Sequence, residues 1–364
     1  MKLLDGDIQG IISTIILISL FLMMFTNIGQ KLQLMFLTAN LKSKLAILEK
    51  LLNDALSRSE KLLALAGSKN PKKTVRKLTE FFVIEPVSIE PTDIIRRLAH
   101  ILDTRRHNVR RILVEDLGEK SKHELSNIEV VLEVTSALNY LYKVVRHYLL
   151  LGEKTSNLIL VMQLAYLMPT ILKIADAYHK SLDAFEKGLP IGDGLGPLVA
   201  YRLTYNAPRK PIVEETVYSI TEIDGRLVYV VKAEGPGATV GKPGEAIEKL
   251  VEKENGNISR IITVDAALKL EGEETGSIAE GVGAAIGDPG PEKIRIERVA
   301  TKYNIPVDAL VVKMSAEEAI QTMNKKIAEA ADKVVEEIKD IIKHRVPKGG
   351  KVIVAGIGNT IGII

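Results

Sequence analysis

In the stretch Ile261-Ile262-Thr263-Val264-Asp265, four β-branched residues are followed at once by a carboxylate. The first four read as the body of a short apolar strand, Ser259–Val264, with side chains that suit a pleated surface. Strand-like and helix-like runs alternate on both sides of it. Ile212–Ile220 and Leu227–Ala233 read as strands before it, and Gly244–Lys253 as a helix. After it come a helix over Ile294–Tyr303, a strand over Ala309–Val312, a long helix over Ala316–Arg345 and a final strand over Lys351–Ala355. Such alternation predicts an α/β domain, residues 188–364, with a mostly parallel sheet covered by helices. Functional groups in such sheets gather beyond the carboxyl ends of the strands, which is where Asp265 stands. A second acidic residue, Asp193, lies in Ile191-Gly192-Asp193-Gly194-Leu195-Gly196-Pro197, just before a helix through Leu198 to Leu203. Taken singly, either aspartate has an ordinary explanation as a helix cap, a turn former or the start of a loop.

Upstream of residue 188 the chain changes character. From Ile8 to Gln30 no residue is charged, and Ile11–Phe25 is almost wholly Ile, Leu, Met and Phe. That run is long enough to cross a hydrocarbon core of about 30 Å as a transmembrane helix. A cleaved signal peptide is the competing reading. Asp5 and Asp7 beside Lys2, and the lack of a small-residue cleavage site, favour a retained anchor, residues 1–30. Lys31, Lys42 and Lys44 follow the run, so the positive-inside rule puts the body of a single-pass protein on the cytoplasmic face of the cell membrane.

Residues 31–187 read as an all-α middle domain. Leu41, Leu45, Leu48, Leu52, Ala55, Ser59, Leu62 and Ala66 form an a/d seam, equally suited to packing within the chain and to gathering copies into a homo-oligomer. Asp93–Leu117 is a helical stripe flanked by Arg96, Arg97, Arg105, Arg106, Arg110 and Arg111. Such charge is a solvated face or one laid against anionic membrane lipid. Helices over Asn127–Leu151 and Ser156–Phe185 complete the domain. The uncharged stretch Thr155–Leu172 contains Ser156, Asn157, Gln163 and Pro169 and reads as a buried helix.

The 364 residues carry a net charge of +3 and no cysteine, which excludes disulfides, thiolate metal sites and a cysteine nucleophile. No aromatic residues are interleaved with the basic ones of Asp93–Leu117 for stacking, so no nucleic acid is expected as a partner. His100, His107, His123, His147 and His179 lack metal-site spacing, and neither a metal nor a cofactor is expected.

The C-terminal motifs resemble those of the spore germination proteases and, more distantly, the hydrogenase maturation proteases. Asp193-Gly194-Leu195-Gly196-Pro197 is similar to their Asp-x-x-Gly-Pro element leading into a helix. Gly237-Ala238-Thr239-Val240-Gly241-Lys242-Pro243-Gly244-Glu245-Ala246 looks like the glycine-rich loop and helix before the next strand of germination protease. Ile262-Thr263-Val264-Asp265-Ala266-Ala267-Leu268 is similar to its strand-Asp-Ala-Leu element. Gly276-Ser277-Ile278 and Gly287-Asp288-Pro289-Gly290 follow where that family has another glycine-rich stretch. One element is displaced. The family's first strand ends in a Gly-x-Gly-Asn turn directly before Asp-x-x-Gly-Pro, whereas here Gly356-Ile357-Gly358-Asn359 follows the last strand. A circular permutation accounts for this, with Asn359 brought back beside the aspartates. The whole chain also resembles an archaeal family of membrane-anchored proteins, a resemblance that implies no activity.

The protease resemblance implies a phosphorylase/hydrolase-like fold and an atypical aspartic-type peptidase acting on a peptide or protein. Asp193 and Asp265 would be its catalytic pair, with Gly194, Gly196, Gly241, Gly356, Gly358 and Asn359 in the binding and oxyanion loops. Two adjacent carboxylates cannot both ionise readily, so one keeps a proton as the acid while the other serves as the base. The nickel-sensing hydrogenase variant uses two acidic residues and a His. The corresponding Val312-Lys313-Met314-Ser315-Ala316-Glu317 has no His, and His344 lies far along the last long helix. A different class stays open: an oligomeric membrane scaffold whose degenerate peptidase fold holds a partner without cutting it.

Overall fold

The computed structural model describes residues 10–19, 21, 27–84, 91–287 and 290–364. The chain divides into two compact units, Met1–Leu56 with Ala137–His179, and Ser57–Ser136 with Lys180–Ile364.

The first unit is helical. It opens with a short apolar helix, Gly10–Ser19 (α1), whose Ile11, Ile12, Ile15, Ile16, Leu17 and Ile18 are exposed. The rest of the expected anchor's apolar run, residues 8, 9, 20 and 22–26, lies outside the described residues. It also holds most of three longer helices, Asn27–Leu65 (α2), Lys122–Thr155 (α5) and Leu158–Lys187 (α6), whose residues 57–65, 122–136 and 180–187 belong to the second unit. Here α5 runs antiparallel to α2, with Lys42 paired to Glu153 at 2.6 Å and the Tyr142 hydroxyl donating to Glu49 at 3.4 Å. α6 turns back, and His179 meets Asp54 at 2.7 Å. Within these helices the seam residues Leu41, Leu48, Leu52 and Ala55 are buried, as are Val145, Leu149, Val161 and Met168. The seam therefore packs inside the chain.

The stretch Thr155–Leu172 departs from its expected burial. Val161, Leu164 and Met168 point inward, but Ile159, Met162, Tyr166 and Leu167 are exposed. The bundle covers only one side of α6. By length and composition this helix could cross a membrane, and only 22% of its most apolar 18-residue window is buried.

The second unit joins a helical part to the sheet. Pro71–Thr79 (α3) starts at Asn70, whose side chain accepts from the Lys73 N–H, and Pro91–Leu117 (α4) follows. Ser59, the polar position of the seam, is satisfied by a 2.8 Å bond to Thr135. The basic residues of α4 meet carboxylates: Arg105 pairs with Glu133, Arg110 with Glu129 and Glu215, and Arg106 with Glu215.

Seven strands form one mixed sheet: Lys210–Val213 (β1), Thr216–Ile223 (β2), Arg226–Ala233 (β3), Arg260–Leu268 (β4), Ile278–Val282 (β5), Val307–Met314 (β6) and Lys351–Gly356 (β7). Their order is β1-β2-β3-β7-β4-β6-β5. The central four, β3, β7, β4 and β6, are parallel, and both edges are antiparallel. The strand made last thus lies in the middle. Alternation along each strand feeds two cores. Val228, Val230, Ile262, Val264, Val352 and Val354 pack beneath Leu195–Leu203 (α7) and Lys325–Arg345 (α11). Tyr229, Val231, Ile261, Ile353 and Ala355 pack beneath Pro243–Lys253 (α8) and Pro291–Lys302 (α9). Each such Val or Ile side chain, fully buried, contributes roughly 1.5–3 kcal/mol.

Three sequence expectations are corrected. The strand expected over Ile212–Ile220 is a hairpin, because Glu215 takes a left-handed conformation (φ 54°) and turns β1 into β2. The long helix expected over Ala316–Arg345 is two: Ala316–Ile320 (α10), started by a Ser315–Glu318 capping box, and α11, started by Asn324. The strand bearing Asp265 does not end there. It continues to Leu268 paired with β6, while its pairing with β7 stops at Val264 opposite Gly356.

Candidate functional site

The residues of the candidate site gather around that one-sided ending of the ladder. Beyond Gly356, the Ile357 N–H donates to the Val264 carbonyl at 2.8 Å, and the chain then leaves the sheet. Asp265 is therefore held in a strand with β6 on one side and no β7 partner on the other. The residue is 5% exposed. Oδ1 accepts from the Ala266 N–H at 2.7 Å and Oδ2 from the Gly287 N–H at 3.0 Å.

Asp193 comes from a single 3-10 turn, Gly192–Gly194, that leads straight into α7. The break between α10 and α11 grips this turn, with Gly192 N–H donating to Gln321 and Met323 N–H to Pro190. Gly196 lets the start of α7 lie directly on the strands: a Cβ there would stand 2.2 Å from the Ile357 carbonyl and 2.6 Å from that of Val264. Gly358, at φ +130°, is likewise required, since a Cβ would meet the Asp193 carbonyl at 2.0 Å. With that approach made, the Asn359 N–H donates to Asp193 Oδ2 at 2.8 Å, and Asn359 Oδ1 accepts from the Ile361 N–H at 2.9 Å.

Asp193, Gly194, Gly196, Asp265, Gly356, Gly358 and Asn359 thus lie around the carboxyl ends of β4 and β7. Gly241 is set apart from them. Its neighbours are Thr216, Glu215 and Ala233, at the start of β2 and the end of β3.

Both aspartates are hard to ionise. Burial pushes the Asp193 carboxyl above the ordinary range, against the stabilising N–H of Asn359. Asp265 is pushed up to about 8, first by burial and then by the negative charge of Asp193, while the N–H groups of Ala266 and Gly287 pull the other way. Among the described residues neither forms an ion pair. No group of three His, Asp or Glu side chains placed to hold a metal ion occurs among the described residues.

Other features at this end of the sheet had no sequence signal. Residues 360–363 fold over the glycine-rich loop, with Thr360 fully buried and its hydroxyl donating to Gly237 or Thr239. A cavity of about 260 Å³ opens beside Asn359, lined by Arg106, Arg110, Glu129, Glu215 and Thr239. Burial opposes ionisation of Glu215, but the Thr239 hydroxyl, Arg110 and Arg106 hold it below the usual carboxylate range. Lys232, beside Gly356 in the β3–β7 ladder, is buried, donates to the Ala233 carbonyl at 2.9 Å and is lowered by burial to about 8.

Sequence comparison finds two successive family matches in the chain. Residues 15–188 match the protein of unknown function (DUF1512) N-terminal domain, and residues 191–364 match the domain of unknown function (DUF1512) C-terminal. No curated protein matches the chain. With both domains present in order, the chain belongs to the two-domain DUF1512 family.

Proposed function

We propose that this chain is a membrane-anchored aspartic-type peptidase with Asp193 and Asp265 as its catalytic pair. The reading rests on one observation above all: two carboxylates, buried and without an ion-pair partner among the described residues, gather where the β4–β7 ladder ends, and Asp265 is raised to about 8 first by burial and then by the charge of Asp193. Asp265, mostly protonated at neutral pH, is the acid that protonates the leaving amide nitrogen. Asp193, held by the Asn359 N–H, is the base that takes a proton from the attacking water. The central position of β7 supports the circular permutation, since it carries Gly356-Ile357-Gly358-Asn359 back beside Asp193. The uncharged run Ile8–Gln30 is the anchor, with the body on the cytoplasmic face.

The test is incubation of the detergent-solubilised chain with a diverse peptide library, read by mass spectrometry, against Asp193→Asn and Asp265→Asn. Cleavage by the wild type and its loss in both variants is expected. Identical product patterns from all three would sink the reading.

One observation favours the scaffold alternative. Both Asp265 oxygens already accept backbone N–H groups, as a carboxylate that ties β4 to the Gly287 loop would. Peptide capture without cleavage in that library is the outcome expected of it.

A further inference from the structure

The exposed apolar residues of the helical unit are not scattered. His179 meets Asp54, and twenty residues back along each helix stand Ile159 on α6 and Leu34 on α2, each about 30 Å away. Tyr142 meets Glu49, and fourteen residues on along α5 and back along α2, about 21 Å, the α5–α6 turn, Ser156-Asn157, stands near Met35. Ile159 (69% exposed) and Met162 (47%) therefore share a level with Met35 (58%) and Phe36 (71%). These four form an apolar collar at one end of the bundle. Lys31, Lys42 and Lys154 are exposed around it.

We infer that the α5–α6 turn is a second membrane contact, which inserts this collar into the interfacial layer of the bilayer. The inference rests on reading Ile8–Gln30 as the anchor. That run ends at Lys31, and Phe36 lies only about 8 Å further along the same helix. A headgroup layer is about 5–7 Å deep on each side of the hydrocarbon core, so an anchored α2 brings Met35, about 6 Å past Lys31, into that layer and Phe36 to its outer edge. Ile159 and Met162 arrive with them. The chemistry matches the depth: apolar side chains point outward, the turn itself carries exposed Thr155, Ser156 and Asn157, and the lysines can extend to phosphates. A second copy of the chain would instead have to cover apolar residues interrupted by that polar turn.

The chain contains no tryptophan, so single reporters are clean. Full-length Ile159→Trp, Ile16→Trp and Tyr140→Trp are reconstituted into phosphatidylcholine vesicles with and without brominated acyl chains. Tyr140 is exposed and lies about 20 Å down α5 from Glu153. The expected result is strong quenching at position 16, about twofold quenching with a blue shift at 159, and none at 140. Quenching at 16 without quenching at 159 overturns the second contact and leaves the anchor standing. A reporter at 159 shielded from iodide yet untouched by brominated lipid means a second copy covers the collar, and also overturns it. Quenching at 140 equal to that at 159 means the whole bundle is embedded, and the turn is no special contact. No quenching at 16 removes the anchor and this inference together.

Discussion

The backbone N–H of Asn359 donates to Asp193 Oδ2 across 166 positions of sequence. The bond ties the turn after the central strand to the turn before α7, and it opposes the burial that raises the Asp193 carboxyl. The candidate site is thus assembled from distant segments, and its electrostatics can be tested through stability as well as activity.

Asp265 sets the first expectation. Unfolded, its carboxyl titrates near 3.9; folded, it titrates at about 8. Between those values the folded state holds a proton the unfolded state has lost, so this group's contribution falls as pH rises from about 4 to about 8. Urea unfolding at pH 5 and pH 8 should show that decline, of order a few kcal/mol, and Asp265→Asn should remove this component of the slope. An unchanged slope in the variant would contradict the assignment.

Lys232 runs the opposite way. Its amine is lowered to about 8 by burial, so the cost of holding it charged is absent above its unfolded pKa and fully present below about 8. Lys232→Met should stabilise the protein at pH 7 by about 1–3 kcal/mol. The unfolding midpoint is the readout, and the gain should shrink as pH approaches 10.

Gly196→Ala should cost about 2–4 kcal/mol, since its Cβ would collide with backbone atoms of Ile357 and Val264 that cannot swing away. Thermal unfolding reads the loss. A substitution to Ala at Gly225, where a Cβ meets nothing within 4 Å but φ is +73°, should cost less.

Glu215→Ala should cost about 3 kcal/mol, because it leaves Arg106 and Arg110 facing each other in a partly buried place and strips Thr239 of its acceptor. Arg111→Ala, whose partner Glu115 is one helical turn away on the surface, should change stability by less than about 0.5 kcal/mol.

The parts of the fold that could be read directly are those in which local pattern and tertiary role agree. Ser259–Val264 and Lys351–Ala355 are dense in β-branched residues and become neighbouring central strands. The pairing of Asn359 with Asp193 was legible only because two motif fragments looked out of order. The break at Gln321–Asn324 was hidden, since Ala319, Ile320, Met323 and Ile327 continue a helical spacing straight through it. Glu215 was hidden because a single left-handed residue leaves no trace in an alternating pattern. The exposed side of α6 and the inward-facing arginines of α4 share another cause. Periodicity says which face of a helix is apolar or basic, and the partner that meets that face stands far away in sequence.

The position of β7 bears on when the candidate site can form. During synthesis β3 and β4 emerge with no strand between them, and Arg260–Val264 gain their β7 partners only after residues 351–359 have left the ribosome. Until then the turn holding Asp193 has no Asn359 to bind and no Ile357 to rest on. Strand order thus makes closure of the sheet between β3 and β4, and with it the Asn359–Asp193 bond, late events that follow the synthesis of both aspartates.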